Sequence, residues 1–402
     1  MNAPVRSASM ARWKSTAVCS SAEYIKIIVR TNFLVPTSED GVLISAGPMP
    51  PGMLDARAVA RVDPGGMRDI IASLPDQISA AAIWAEGKAR APIAEAQRVF
   101  LIGMGGSAIA GDVFAAWVAD RCKVPIQVVR DYRLPSYARP EDLLVAVSYS
   151  GNTEETLGAT AQGIKLGCRV IAITSGGRLG SLARGGGWPV FEVPAGLPPR
   201  GAFGHLFGIL STIGSGWTYG DLRGDVEQAV AHLNELRTRL RPESGVRLNR
   251  AKALALRLKT TVPILYAAPP FTAVARRWQT QLNENAKVLA FSSTFPEADH
   301  NELVGWVEDP RARSYRPIIL RDADEPPELK RQLDITTSLM SKRTKVEEVH
   351  DDGPSLLSRM LGTLYLGDYV SLYLAALRGV DPLPLKPIET LKAKLAAARR
   401  KS

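Results

Sequence analysis

Short apolar runs that end in glycine or polar residues and pass at once into helical patterns constrain this chain more than anything else in it. "RVFLIGMGG" leads into "SAIAGDVFAAWVAD", "VPIQVVRDY" follows, "LLVAVSYSGN" leads into "EETLGATAQGIKLG", and "RVIAITSGG" closes the series. Runs too short for helices, alternating with helical spacing, belong to a parallel sheet covered on both faces. After "WPVFEVPAG" and the Gly/Pro-rich "LPPRGAFGHLFGILSTIGSG" the alternation restarts with a helix, "VEQAVAHLNELRTRLR", and "VPILYAAPP". It continues through a helix in "TAVARRWQTQLNENAK", then "KVLAFSSTFP", "RPIILRDAD", a helix around "ELKRQLDITTSLM", "KVEEVHDDG" and two long C-terminal helical patterns. The expectation is an α/β protein of two domains, 53–222 and 223–402, each a parallel sheet flanked by helices. Residues 1–52 mix Ser, Ala and Pro and end in "AGPMPPGM", so they are expected to form a flexible tail. Ligands of such sheets sit at the carboxyl ends of the strands.

Composition narrows the class. The 402 residues are 46% hydrophobic and 22% charged, and no run approaches the roughly eighteen uninterrupted apolar residues of a membrane span. The net charge of +10 sits at the ends: +4 in residues 1–30 (five Lys or Arg, one Glu) and +5 in residues 386–402 (six, one Glu), which leaves about +1 between. A nucleic-acid-binding face on the body is not supported. Cys19, Cys122 and Cys168 are scattered and lack metal-ligand spacing, so neither a disulfide framework nor a metal site is expected, and a reducing cytoplasm fits best.

Two loops carry anion chemistry. "GMGGSA", 103–108, satisfies the loose dinucleotide pattern through Gly103, Gly105 and Ala108, with Asp131 at the end of the next run. "SYSGNTEET", 148–156, also enters a helix, where hydroxyls and freed amides converge at the helix's positive end. Ser150 or Thr153 could simply cap that helix. Two anion-seeking loops on one sheet edge suit a compact monophosphate better, with Ser107, Ser148, Ser150 and Thr153 as neutral donors.

"GMGGSAIAGD" with "VSYSGNTEET", "ITSGGRL" and "LPPRGAF" resembles the sugar isomerase (SIS) domain. The second half, with "NENAK" and "FPEADHNELVGW", resembles the bifunctional phosphoglucose/phosphomannose isomerases. The match runs from about residue 95 to the C-terminus. It implies two SIS domains, a homodimer, and interconversion of glucose 6-phosphate and mannose 6-phosphate with fructose 6-phosphate, without metal or coenzyme. By matching position it implies that Gly106, Ser107, Ser148, Ser150 and Thr153 hold phosphate. Glu284 would move the substrate proton, His300 (from the partner subunit) and Lys392 would serve ring opening, and Arg200 would lie by the reacting carbons. Leu385 stands where archaeal members carry a threonine, which bears on the mannose 6-phosphate activity.

The residues alone leave Glu284 on what could be a solvated helix face and Lys392 on a basic C-terminal helix where a solvated lysine is the default, but the reaction needs groups of these kinds. Aldose–ketose isomerisation needs one carboxylate that reaches two adjacent carbons, and a fixed guanidinium stabilises the enediolate between them. Ring opening suits a group titrating near neutrality. Of the four histidines, His232 falls in a polar helix pattern, His350 in an acidic loop and His205 among apolar helical residues. His300 alone lies in an irregular stretch, with three carboxylates nearby that could keep it partly charged. Two other classes compete. A non-catalytic SIS regulator wants a DNA-binding domain ahead of the fold, for which 1–52 is too short and too broken; an NAD(P)-dependent oxidoreductase rests on "GMGGSA" alone.

Overall fold

The computed structural model describes residues 54–88 and 96–399; the expected tail, 1–52, lies outside them. Three helices come first, α1 (Ala56–Val62), α2 (Met67–Ala72) and α3 (Leu74–Lys88). Then the alternation unfolds as expected: β1 (Val99–Ile102), α4 (Gly105–Trp117), β2 (Ile126–Val129), β3 (Leu143–Val147), α5 (Glu154–Leu166) and β4 (Arg169–Thr174). α6 (Gly177–Gly185), β5 (Val190–Glu192) and α7 (Phe203–Gly214) complete the first half. Its five strands are all parallel, in the order β2-β1-β3-β4-β5, with Val99 opposite both Ile126 and Leu143.

Every residue of β1 and β3 is buried, which explains their unbroken apolar runs. Alternate side chains serve opposite faces. Leu101, Val145 and Ile173 pack with Ile78 of α3, Ile109 of α4 and Phe207 of α7. Phe100, Leu144 and Val170 pack with Ala159 of α5, and Ala146 and Ala172 with Leu179 and Ala183 of α6.

The second half runs α8 (Arg223–Leu240), α9 (Arg250–Leu258), β6 (Val262–Ala267), α10 (Thr272–Glu284), β7 (Phe291–Thr294), α11 (Glu302–Glu308), β8 (Tyr315–Leu320), α12 (Pro327–Ser341) and β9 (Glu347–Val349). Its four parallel strands take the order β7-β6-β8-β9. α13 (Leu356–Arg378) and α14 (Lys386–Arg399) end the described chain.

α13 is long and apolar enough to cross a membrane, but here every residue from Leu357 to Ala375 is buried within the protein. It is hydrophobic all round because it runs through the middle of one core, between α1, α2, α8, α9 and α10, shared by both sheets. Gly367 is required there: a Cβ would lie 2.2 Å from Nε1 of Trp278, whose indole donates to the Thr363 carbonyl at 2.9 Å. The one acidic group buried in that stretch, Asp368, pairs with Arg277 of α10 at 2.8 Å, both 3–4% exposed. Removing either partner would strand a buried charge, at a cost of about 3–5 kcal/mol.

Candidate functional site

In the order β2-β1-β3-β4-β5 the chain reverses direction across the sheet between β1 and β3, and the crevice at their carboxyl ends is where such sheets hold ligands. The two loops singled out in the sequence flank that crevice. Close packing dictates their glycines. A Cβ at Gly103 would lie 2.9 Å from the Val147 carbonyl, and one at Gly106 only 2.7 Å from the amide of Arg200. Gly151 has φ +67°, and a Cβ there would lie 1.9 Å from the Gly176 carbonyl.

The hydroxyls meet across the crevice. The Ser107 hydroxyl accepts from the Tyr149 amide at 3.1 Å, joining the two loops, and Ser148 Oγ donates to Thr153 Oγ1 at 3.0 Å. Ser148 and Ser107 are buried, whereas Ser150 is exposed and accepts from the Asn152 amide at 3.3 Å. Thr153 occupies the N-cap position of α5 without capping it, and no side chain caps α4 either. The capping reading of these residues therefore fails, and the first amides of both helices are left without a side-chain cap. Asp131, the acidic residue of the dinucleotide pattern, closes its own turn by accepting from the Arg133 amide at 3.3 Å.

Arg200 lies in a 3₁₀ turn, Pro199–Ala202, against Gly106. It is 3% exposed, and its guanidinium is fixed on three sides. Nε donates to Asn285 Oδ1 at 2.7 Å, Nη2 to the carbonyls of Pro382 and Leu383 at 2.7 and 3.0 Å, and Nη1 lies 3.5 Å from Glu284 Oε2. Arg277 holds the carbonyl of Arg200 at 3.0 Å while paired with Asp368. Burial lowers the pKa of Arg200, against the opposing pull of the Glu284 charge. An arginine stays charged all the same.

Glu284 ends α10 with its side chain 25% exposed, so it is open to a ligand in the crevice. Residues with no assigned role in the sequence hold it. Asn285 bridges Arg200 and Ser371 Oγ (2.9 Å), and Lys287, at φ +55°, donates to the carbonyls of Glu284 at 2.5 Å and Pro382 at 3.1 Å. Burial, then the Arg200 charge, pushes the Lys287 pKa down. "NENAK" carried the signal for both, but apart from the Glu284 carbonyl their partners lie 85 to 95 residues away in sequence.

His300 and Lys392 stand apart from this cluster. His300 ends the 3₁₀ turn Glu297–His300, exposed, and forms no ion pair among the described residues. The three nearby carboxylates expected to hold its charge are engaged elsewhere: Asp299 by Gln332 and Thr336, Glu302 by Tyr266 and Ser293, and Glu297 by Asn301. Lys392 is exposed on α14, and Leu385 precedes that helix, half-buried. His205 is half-buried on α7 with its pKa lowered by burial, His232 bonds Asp351 at 2.6 Å, and His350 is exposed.

Residues 92–184 match the SIS domain, and residues 247–395 match the bacterial phospho-glucose isomerase C-terminal SIS domain. The bifunctional phosphoglucose/phosphomannose isomerase of Caldicellulosiruptor bescii is 39% identical over 82% of this chain and 99% of its own length. The D-glucosamine-6-phosphate 4-epimerase of Sulfolobus acidocaldarius is 30% identical over 74% of this chain and 90% of its own. A hypothetical protein of Thermus thermophilus, 17% identical, superposes with a TM-score of 0.65 over 86% of this chain and 93% of its own, a likeness of fold. Two SIS domains, each matched in its own half, and near-complete coverage of the isomerase relative lead to one conclusion: the chain belongs to the bifunctional phosphoglucose/phosphomannose isomerase family.

Proposed function

We propose that the protein interconverts glucose 6-phosphate and mannose 6-phosphate with fructose 6-phosphate through a cis-enediol, with no metal or coenzyme. The observation that carries this reading is the placement of Glu284 Oε2 3.5 Å from the guanidinium of Arg200, a residue whose backbone packs against Gly106 in the glycine loop of the anion crevice. A phosphate seated on Gly106, Ser107, Ser148, Ser150 and Thr153 leaves the sugar's other end pointing toward that pair. Glu284 takes the proton from C2 of the open-chain aldose. Negative charge moves onto the carbonyl oxygen, where Arg200, unable to swing away, stabilises it without reorganising. A proton passes between O1 and O2, and Glu284 returns its own to C1.

Ring opening needs a second group, and the exposed His300 and Lys392 fit a supply from a second copy of the chain. In the proposed cytoplasmic homodimer, His300 enters the partner's site. Fructose 6-phosphate should yield glucose 6-phosphate in a coupled assay with chelator present. Glu284→Gln should lower turnover by about 10²- to 10⁴-fold while inhibition by inorganic phosphate persists. A Gln variant with wild-type turnover would overturn the assignment. Mixing Glu284→Gln with His300→Ala protein should restore about a quarter of wild-type activity, because half of the dimers are hybrids with one intact site.

A further inference from the structure

Between Ser148 and Ser150, the side chain of Tyr149 turns away from the phosphate seat into the protein, and it is only 6% exposed. Its hydroxyl accepts from the Leu197 amide at 2.7 Å and donates to the Pro194 carbonyl at 2.9 Å. Its amide donates to Ser107 Oγ, and its carbonyl accepts from both the amide and the hydroxyl of Ser175, at 2.9 and 2.6 Å. One residue thus ties together the loops after β1, β3 and β4 and the segment that leads from β5 to Arg200.

That segment, 194–197, is mostly exposed and contains Gly196 at φ +95°. Val193 bonds back to Thr174 before it, and Pro198 and Gly201 close the Arg200 turn after it. Among the described residues, the two bonds to the Tyr149 hydroxyl are the only hydrogen bonds from 194–197 to the rest of the chain. The strap that leads into the Arg200 turn is therefore held by hydrogen bonds to the residue that sits between two phosphate-seat serines, beside the packing of Leu197 on the core. Burial raises the pKa of the phenol, so it stays protonated and able to fill both roles.

We infer that Tyr149 is a positioning residue, which fixes the distance between the phosphate seat and the Arg200 guanidinium through the strap 194–197. The inference rests on the isomerase reading above. A misplacement of about 1 Å at a reacting centre costs up to about a hundredfold in rate, while the phosphate contacts themselves would be untouched.

Tyr149→Phe tests it, with Ser175→Ala as a control that removes a bond to the same residue but leaves the strap pinned. For Tyr149→Phe, kcat on fructose 6-phosphate should fall roughly ten- to a hundredfold, with KM and inhibition by inorganic phosphate changed less than about threefold. Amide exchange at Leu197 should quicken at least about tenfold, and Ser175→Ala should keep kcat within about twofold. The inference is overturned if Tyr149→Phe keeps wild-type kcat, if KM and phosphate inhibition weaken in step with kcat, if Ser175→Ala loses kcat equally, or if Tyr149→Phe yields no folded protein. Wild-type protein inert on every hexose 6-phosphate would instead remove the isomerase reading, and Leu197 exchange would still report whether the strap hangs on Tyr149.

Discussion

The two sheets share one strand order, β2-β1-β3-β4 in the first half and β7-β6-β8-β9 in the second, so each has a direction reversal and a crevice at the same place. Their contents differ. In the first half the crevice is lined by glycine backbone, hydroxyls and two helix starts without side-chain caps. In the second, the turn after β6 is Ala268, Pro269, Pro270 and Phe271, with no glycine to admit a phosphate against the backbone. The turn after β8 closes with its own charges: Arg321 holds Glu325, Asp334 and Glu348 at 2.5–3.0 Å, and Arg359 holds Asp322 and Asp324 at 2.5–2.6 Å. Topology offers a crevice twice, and side-chain chemistry keeps one of them open. The second half contributes instead the end of α10, with Glu284, and the buried anchors of Arg200.

The largest effect should come from putting a side chain where the open crevice has none. Gly151→Ala would force an alanine to φ +67° with its Cβ 1.9 Å from the Gly176 carbonyl, so backbone must move. Strain and overpacking together should cost more than about 3 kcal/mol. Turnover and the rise in melting temperature on adding inorganic phosphate should both vanish. A variant that still melts higher with phosphate would show that the loop tolerates a bulkier backbone, and the contrast with the second half would lose its basis.

The runs that became strands were legible because strands buried on both faces read as unbroken Val, Ile and Leu, and the anion loops were legible from glycine and serine spacing. α6 was not. "GRLGSLARG" has three glycines in nine residues, and only Leu179 and Ala183, packed against Ala146 and Ala172, make it worth folding as a helix. α9 was missed although Asn249 caps it, accepting from the Lys252 amide at 3.1 Å, and Ala251, Leu254, Ala255 and Leu258 keep helical spacing, because Arg250, Lys252 and Arg257 make so short a stretch read as a charged connection. The surroundings of Arg200 were illegible for a different reason. Its partners Asn285, Pro382 and Leu383 lie 85 to 183 residues away, and no local pattern announces such contacts. Thr153 shows the limit from the other side, since its place before a helix spells a cap and only the bond from Ser148 reveals otherwise.

The filled crevice gives the second test. Arg321→Met would leave Glu325, whose side chain is 7% exposed, without its cation. The loss should be about 3 kcal/mol, the low end for a broken buried pair, because Asp334 and Glu348 reach solvent. Chemical denaturation should record it, while KM for fructose 6-phosphate should hold. Ser148→Ala in the open crevice should do the reverse: KM should rise by about tenfold, the equivalent of about 1.4 kcal/mol and near the net worth of one hydrogen bond to a charged group, with little change in the melt. If the two variants moved the same quantity, the crevices would not differ in function.

The smallest effect separates the halves by pH. His205 of the first half is half-buried, and burial lowers its pKa from the ordinary 6.5. His232 of the second half already bonds the Asp351 carboxylate at 2.6 Å. Below pH 6.5 the unfolded chain takes up a proton at residue 205 that the folded protein resists, so the unfolded state binds more protons and stability falls as the solution is acidified. Above about pH 7.5 both states hold a neutral imidazole and the contribution disappears. His205→Gln should therefore flatten the stability profile on the acid side, between the lowered folded pKa and 6.5, and should match its parent's pH dependence above pH 7.5. Denaturant melts of both proteins across pH 5 to 8 would show it, and parallel profiles over the whole range would mean that the folded protein accepts the proton at His205 as readily as water does.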